Sequence, residues 1–444
     1  MNYLLNTFSN QFEPLEIIRG EGVYLVTKNE DRILDFSSGI TAHSILGYSQ
    51  RPVIDAIKNQ VEKICHLDYK NFKDGIREEL AELLVSKSSH ELKRVYFVGS
   101  SGAEACEAAM KLSHVYHVKR GKTKKNNFIS REQSYHGSTS DALSLGDRPN
   151  LRIFESFHPN HRHKIQEHNQ YRQMLSGETL EEYGERSAKL LEKKINELGA
   201  DNVAAFIAET TMGGLVGDVP PAPNYWKEIR KICDRYDVHL IIDEVWCGTG
   251  TSGKIYSIDH DGVTPDFIFM GKTLGAGYAP VSCVVLSQQI CETIKSNGDS
   301  VPHSTTHQGH TLSMAAALAV QKIIHNQALL DNVTLLSNRI VKNIERGLAN
   351  SKFFFNIRGR GLRLSIEYRC ENDHKFGVYV SNTLRLNHAI LLSGKWHRLT
   401  LSPPLIISKE EVDYVTTAIC EVFLEAEKRW NELKNADLGN LSFF

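Results

Sequence analysis

An excess of either charge is missing from this sequence: 52 lysines and arginines stand against 53 aspartates and glutamates, for a net charge of -1 at pH 7. Without a basic surplus there is no general attraction to nucleic acid or to an anionic membrane surface. Long apolar runs are missing too. No stretch reaches the roughly 18 consecutive apolar residues that a membrane-crossing helix needs. Residues 1–8 show neither the basic flank nor the apolar stretch of a secretory signal, so a cytoplasmic location is expected. The eight cysteines form no Cys-x-x-Cys pair and several sit inside apolar runs, which argues against disulfides or zinc and fits reduced core thiols. No internal repeat and no low-complexity tract occurs.

What is present describes an ordinary globular protein: 444 residues, 41% hydrophobic and 24% charged, enough for two or three domains. Residues 1–50 read as short strands and turns. From Pro52, apolar residues at Val53, Ile54, Ile57, Val61 and Ile64 have helical spacing. Apolar runs of strand length then appear at 95–98, 203–208, 238–242, 267–270 and 281–286, with helical segments between several of them. That alternation predicts an α/β fold with a mostly parallel sheet covered on both faces.

Between Gly146 and Asn202 the composition turns polar. A capping box at Thr179 and Glu182 opens a helix there. His158, His161, His163 and His168 crowd the first half, but without a companion cysteine or a His-Glu-x-x-His pattern they predict no metal site. A solvated insertion near the active-site mouth is expected. A helix around Met314 and a last one capped by Ser408 and Glu411 bound a smaller α+β unit. The expected division is an N-terminal segment 1–50 of the small domain, a large domain 51–311 and a C-terminal small domain 312–444.

Four of the apolar runs end in a polar group at the same end. Val95–Val98 leads to Ser100-Ser101-Gly102-Ala103-Glu104, Val203–Ala208 to Glu209, Leu240–Ile242 to Asp243, and Phe267–Met270 to Gly271-Lys272. Ligands of open parallel sheets bind beyond the carboxyl ends of the strands, so these groups are expected to converge on one crevice. Ser101-Gly102-Ala103 opens a helix, whose unpaired N–H groups and positive dipole end make an anion site. Taken singly, Ser101 also reads as a plain helix cap, and Asp243 and Lys272 as solvated loop residues. Gly248-x-Gly250-x-x-Gly253 followed by Lys254 comes close to a nucleotide loop. Ile255 stands where a P-loop needs Ser or Thr, and no helical pattern follows, so nucleotide binding is not expected there.

At these residues the chain resembles the class III aminotransferases, the fold-type I pyridoxal phosphate family of ornithine, 4-aminobutyrate and omega-amino acid transaminases. The resemblance extends from Leu34-Asp-Phe-Ser-Ser-Gly39 to Pro403-Pro404-Leu405. It implies that Lys272 forms the Schiff base and moves the proton, and that Asp243 holds the pyridine nitrogen protonated. It further implies Ser101, Gly102 and Ala103 as the phosphate turn, Tyr135 stacking on the pyridine ring with His136 beside it, Glu209 near the ring and Val245 behind it. Thr311, in His307-Gln308-Gly309-His310-Thr311, would reach the cofactor phosphate of the partner in a homodimer with shared active sites.

The departures bear on substrate. Thr210 follows Glu209 where the family has Pro, and Thr251 stands for an Arg. Thr400 occupies the place of an arginine that binds an α-carboxylate in several members, with Arg398 close by. Thr41, beside Ile40, stands where many amine transaminases have Trp. Ile40, Thr41, Trp246 and Arg398 are thus the candidates for substrate contact. The implied reaction moves an amino group from an amine or omega-amino donor to a keto acid or aldehyde by a ping-pong mechanism. The same scaffold would also suit an epimerase, an aminomutase, a decarboxylating transaminase or a cofactor-binding protein without turnover.

Overall fold

The computed structural model describes residues 15–86, 88, 91–157, 161–298 and 300–435. They form two compact units, one comprising Arg51–Leu330 and the other the residues before and after it. The second boundary therefore falls after 330, where the sequence suggests 311. The helix Thr311–Ile324 packs on the helices Arg51–Val61 and Gly75–Ser86 and stays with the larger unit. Its residues Met314–Leu318 are all buried, and a helix apolar on several sides needs neighbours on several sides.

In the smaller unit, β1 (Ile17–Glu21), β2 (Tyr24–Thr27) and β3 (Arg32–Asp35) pair antiparallel in sequence order. The larger unit holds a seven-stranded sheet. Its strands are β4 (Leu92–Phe97), β5 (Asn127–Arg131), β6 (Arg162–Ile165), β7 (Val203–Glu209), β8 (His239–Asp243), β9 (Phe267–Met270) and β10 (Cys283–Ser287), in the spatial order β4-β10-β9-β8-β7-β5-β6. Only β10 runs against its neighbours. Met270 of β9 faces Cys283 of β10, so residues 271–282, whose only helical piece is the short turn Lys272–Leu274, lead back beside the strand end they leave and not across to the other end of the sheet as a parallel pair requires. Every residue of β7 and β8 is buried, which is why these strands appear in the sequence as continuous apolar runs.

The chain then returns to the smaller unit. There β11 (Phe354–Arg360) and β12 (Arg363–Tyr368) form a hairpin, β13 (Ile390–Leu391) joins β3 in parallel, and β14 (Ser393–Lys395) and β15 (Arg398–Leu401) extend the sheet as β11-β12-β15-β14. The predicted capping box is present at Ser408 and Glu411 and starts the helix Lys409–Leu433. Phe423 and Trp430 of this helix meet Phe376 at 4.9 Å and 5.1 Å between ring centroids, edge to face, as the core of this unit.

The histidine-rich stretch is not a solvated insertion throughout. Arg162–Ile165 is the edge strand β6, parallel to β5, and His163 Nε2 bonds Asn127 Oδ1 at 2.8 Å. An edge strand tolerates charged residues because one side faces no neighbour. His168 is buried, with Nδ1 bonded to Ser187 Oγ at 3.0 Å and Nε2 accepting the Ala222 N–H at 2.9 Å. His161 is exposed, and His158 lies outside the described residues. Among the described residues no group of His, Cys, Asp and Glu is arranged to hold a metal ion. No helix among them is long and apolar enough to cross a membrane.

Burial pushes His168 and His239 each down to about 3 from the ordinary 6.5. Both are therefore neutral in the folded chain at pH 5, whereas the unfolded chain protonates them below about 6.5. Stability is lost as pH falls from 6.5 toward 3, because the unfolded state binds the extra protons. A His168→Gln variant should be less stable at pH 7, yet lose about 2 kcal/mol less than the wild type between pH 7 and pH 5. Urea unfolding at the two pH values measures this. Parallel losses in the two proteins would assign the acid sensitivity elsewhere.

Candidate active site

The C-terminal ends of β7, β8 and β9 place Glu209, Asp243 and Lys272 along one edge of the sheet. Glu209 and Asp243 are register partners across β7 and β8, and Asp243 is paired in turn with Phe269 of β9. Asp243 is 4% exposed and is oriented by two donors: Val245 N–H reaches Oδ1 at 2.9 Å, and His136 Nδ1 reaches Oδ2 at 2.8 Å. Lys272 begins a short turn just after β9, at φ +34°, a left-handed backbone that non-glycine residues adopt only under tertiary constraint. Its Nζ stands 5.3 Å from the centroid of the Trp246 ring, and Trp246 is itself fixed by a 2.7 Å bond from Nε1 to Asp218 Oδ1.

The helix Gly102–Lys119 begins against these strand ends. Ser101 caps it and Glu104 completes a capping box, accepting the N–H groups of Ser100 at 2.7 Å and Ser101 at 3.0 Å. Burial alone would raise the Glu104 carboxyl, but the bonds from Ser100 and Ser101 together outweigh it and hold the group below its ordinary range. The amides of Gly102 and Ala103 have no intrahelical acceptor, as at the start of any helix, and are available to an anion. Glycine at 102 is a packing requirement. A Cβ there would lie 2.6 Å from Val245 Cγ2, and one on Gly271 would lie 2.9 Å from the Gly102 nitrogen. The helix start, the exit of β8 and the exit of β9 thus touch through glycine.

Tyr135 and His136 come from the loop after β5. His136 is buried, and its Nε2 has no hydrogen-bond partner, nor does Glu209 Oε2. Burial pushes the Glu209 carboxyl up, opposed by His136 and Arg131 and reinforced by Asp243. The Tyr135 hydroxyl bonds Ser138 Oγ at 2.9 Å, and the Arg148 guanidinium covers the ring at 3.7 Å from its centroid. Such a cation–aromatic contact fixes the ring plane. Glu244, next to Asp243, is wholly buried and pushed up to about 7 by that burial. It accepts bonds from Thr210 Oγ1 at 2.7 Å and from the amides of Ser257 and Ile258 at 2.8 Å and 2.9 Å. Its role is to tie loops together, and the threonine after Glu209 has a structural use. The Gly248–Lys254 loop leads into a single short turn, Ser257–His260, not into the helix a nucleotide loop needs.

Ser101, Gly102, Ala103, Tyr135, His136, Glu209, Asp243, Val245, Trp246 and Lys272 all belong to the larger unit. Thr311 belongs to it as well, starting the helix whose Gln321 donates to the Leu274 carbonyl at 2.9 Å, about 15 Å further along the axis. Thr311 is wholly enclosed by its own chain and its Oγ1 has no partner. Ile40, Thr41 and Arg398 belong to the smaller unit. Ile40 has φ +65°, Thr41 Oγ1 bonds His43 Nδ1 at 2.8 Å, and Arg398 is buried with its guanidinium 4.8 Å from the Trp396 ring centroid. Two residues of the site escape the sequence reading, Arg131 and Arg148. Arg131 ends β5 as Asp243 ends β8, but the run Asn127-Phe-Ile-Ser-Arg131 has only two apolar residues and does not stand out.

An amine, a carboxylate, an anion-binding helix start and an aromatic ring at one sheet edge suit an aldehyde cofactor bearing a phosphate. Comparison with known proteins agrees. Residues 7–423 match the family model of the class-III aminotransferases. An uncharacterised aminotransferase of Schizosaccharomyces pombe is 33% identical over 435 residues, covering 94% of either chain. Gamma aminobutyrate transaminase 2 of Solanum lycopersicum is 32% identical over 440 residues, 95% of this chain and 94% of its own. Among solved structures, the omega transaminase of Pseudomonas jessenii in complex with PMP superposes with a TM-score of 0.90 at 26% identity, covering 96% of this chain and 97% of its own. The PMP-bound aminotransferase of Vibrio fluvialis gives 0.89 at 27% identity, covering 97% of each chain. With Lys272 and Asp243 at neighbouring strand ends and these relatives spanning nearly its whole length, the chain belongs to the class-III aminotransferases and depends on pyridoxal phosphate.

Proposed function

We propose that the protein moves an amino group from an amine or omega-amino donor to a keto acid or aldehyde by a ping-pong cycle, with Lys272 and Asp243 as its catalytic residues. The observation that carries the reading is the meeting of β8, β9 and the Gly102 helix start, where a Cβ on Gly102 would strike Val245. That cradle fits a phosphorylated cofactor: Ser101, Gly102 and Ala103 would take the phosphate, Tyr135 and Val245 the two sides of the ring, and Asp243 its nitrogen. Glu209 and His136 would complete the surround. When bound, pyridoxal phosphate supplies an electrophilic carbon and a ring that accepts the electron pair released as a C–H bond of the donor breaks.

The chain's own part is proton management and orientation. Lys272 Nζ takes the proton from the donor's nitrogen-bearing carbon and returns one in the second half of the cycle. Asp243, fixed by Val245 and His136, presents a buried negative charge that needs no reorganisation when positive charge must be held. Trp246, near Lys272 Nζ, borders the space where donor side chains would lie. Thr400 in place of an α-carboxylate-binding arginine, and relatives named for gamma aminobutyrate and omega-transaminase activity, favour a donor other than an ordinary α-amino acid.

Pairing into a homodimer is part of this reading. The larger unit exposes Val61, Ile64 and Phe72 together with an open cavity of about 1140 Å³ bordered by Tyr69, Arg77 and Tyr96, surface that a second copy would cover. Since Thr311 is enclosed, contact with a partner's cofactor would require its helix end to be uncovered on assembly.

The test is a single half-reaction. Holoprotein mixed with 4-aminobutyrate, benzylic amines or α-amino acids, without acceptor, should convert its cofactor stoichiometrically to the amino form with the first two donor classes. An isomerase would leave the aldehyde form, and a protein without turnover would change with none of them.

A further inference from the structure

Three neighbouring strand ends carry charge in a row: Arg131 ends β5, Glu209 ends β7 and Asp243 ends β8. Glu209 and Asp243 are register partners, exposed by only 5% and 4%. Two carboxylates withdrawn from water side by side repel one another, and one takes a proton unless a cation balances them. Burial pushes the Glu209 carboxyl up, His136 and Arg131 act in favour of its ionised form, and Asp243 acts against it. Arg131 is itself 1% exposed. Its Nη2 donates to the Glu209 main-chain carbonyl at 2.5 Å and stands 3.8 Å from Glu209 Oε2. The rings of Trp226 and Tyr225 hold the guanidinium at 5.6 Å and 5.9 Å from their centroids. His136, between the two acids in this electrostatic sense, gives its Nδ1–H to Asp243 and leaves Nε2 without a partner.

We propose that Arg131 is a positioning residue of this site: it keeps Glu209 a carboxylate, and Glu209 and Asp243 together hold the His136 ring with its Nδ1–H on Asp243. Arg131 touches neither cofactor nor substrate in this scheme and acts through Glu209. The inference rests on the reading of Asp243 and Lys272 as the cofactor site.

Wild type, Arg131→Lys, Arg131→Met and Arg131→Met/Glu209→Gln, each loaded with pyridoxal phosphate, are titrated through the neutral range while the bound cofactor's visible absorbance and the melting temperature are followed. Arg131→Lys keeps the charge and should keep the wild-type profile. Arg131→Met should add a titration step or displace the profile by about one pH unit, because Glu209 now gains a proton within the range. The double variant should lack that step, since nothing is left at 209 to protonate. A merely structural arginine would lower the melting temperature and leave the profile unmoved, and that result overturns the proposal. If Arg131→Met does not fold, a double variant that does fold supports the charge argument, and failure of both overturns it. Wild-type protein without any bound-cofactor absorbance would instead refute the cofactor site itself.

Discussion

Replacing Lys272 with Ala should lower turnover by about 10⁴-fold or more and abolish the visible band of lysine-bound cofactor. The size follows from the position. Lys272 leaves β9 next to Gly271, within a turn whose Thr273 hydroxyl bonds that of Thr249 and whose Leu274 carbonyl is held by Gln321 at 2.9 Å. A side chain so placed has one amine to offer, and Trp246, whose ring centroid stands 5.3 Å from it, brings no second one. The fold should survive the change. Alanine at φ +34° meets about the same backbone cost as lysine, because both carry a Cβ. The melting temperature of the apoprotein should therefore stay within a few degrees of wild type, separating lost chemistry from lost structure. Turnover within tenfold of wild type would remove Lys272 from the mechanism.

How much of this was legible in the sequence depended on burial. β7 and β8 are enclosed on both faces, so Val203–Ala208 and Leu240–Ile242 appear as apolar runs, and the residues that end them, Glu209 and Asp243, are marked by contrast. β5 and β6 lie toward the other edge of the sheet with fewer apolar residues, and Arg131 went unmarked with them. Direction was also hidden: an apolar run has no polarity, so β10 looked like its parallel neighbours until its register with β9 showed the reversal. The helix Thr311–Ile324 starts the C-terminal third and so reads as part of the small domain, whereas its partners are the early helices Arg51–Val61 and Gly75–Ser86, far away in sequence. Tyr135 and His136 carry no signal in spacing or periodicity, and only the family resemblance marks them. What His136 does for Asp243 is a contact between residues 107 positions apart, which only the folded chain displays.

Asp243→Asn should cost about 10³-fold in kcat/KM with little change in thermal stability, and this is the sharper test of the buried charge. Asparagine keeps the shape of aspartate and one oxygen that can accept the Val245 N–H, now at 2.9 Å. Its other position becomes an NH₂ group facing His136 Nδ1, which at present donates to Oδ2 at 2.8 Å. Two donors cannot bond each other, so the imidazole must move its proton to Nε2 or the amide must turn and give up Val245. The first course is open because Nε2 has no hydrogen-bond partner to displace. The variant should thus fold with the ring in its other tautomer and still bind cofactor, while losing the negative charge that a protonated ring nitrogen requires. Rapid-mixing measurement of the first half-reaction should show the loss in the proton-transfer step, with donor binding changed far less. An Asp243→Asn enzyme within tenfold of wild type in that step would mean that the charge at the end of β8 does not act on the reacting group, and that its burial beside Glu209 serves the fold alone.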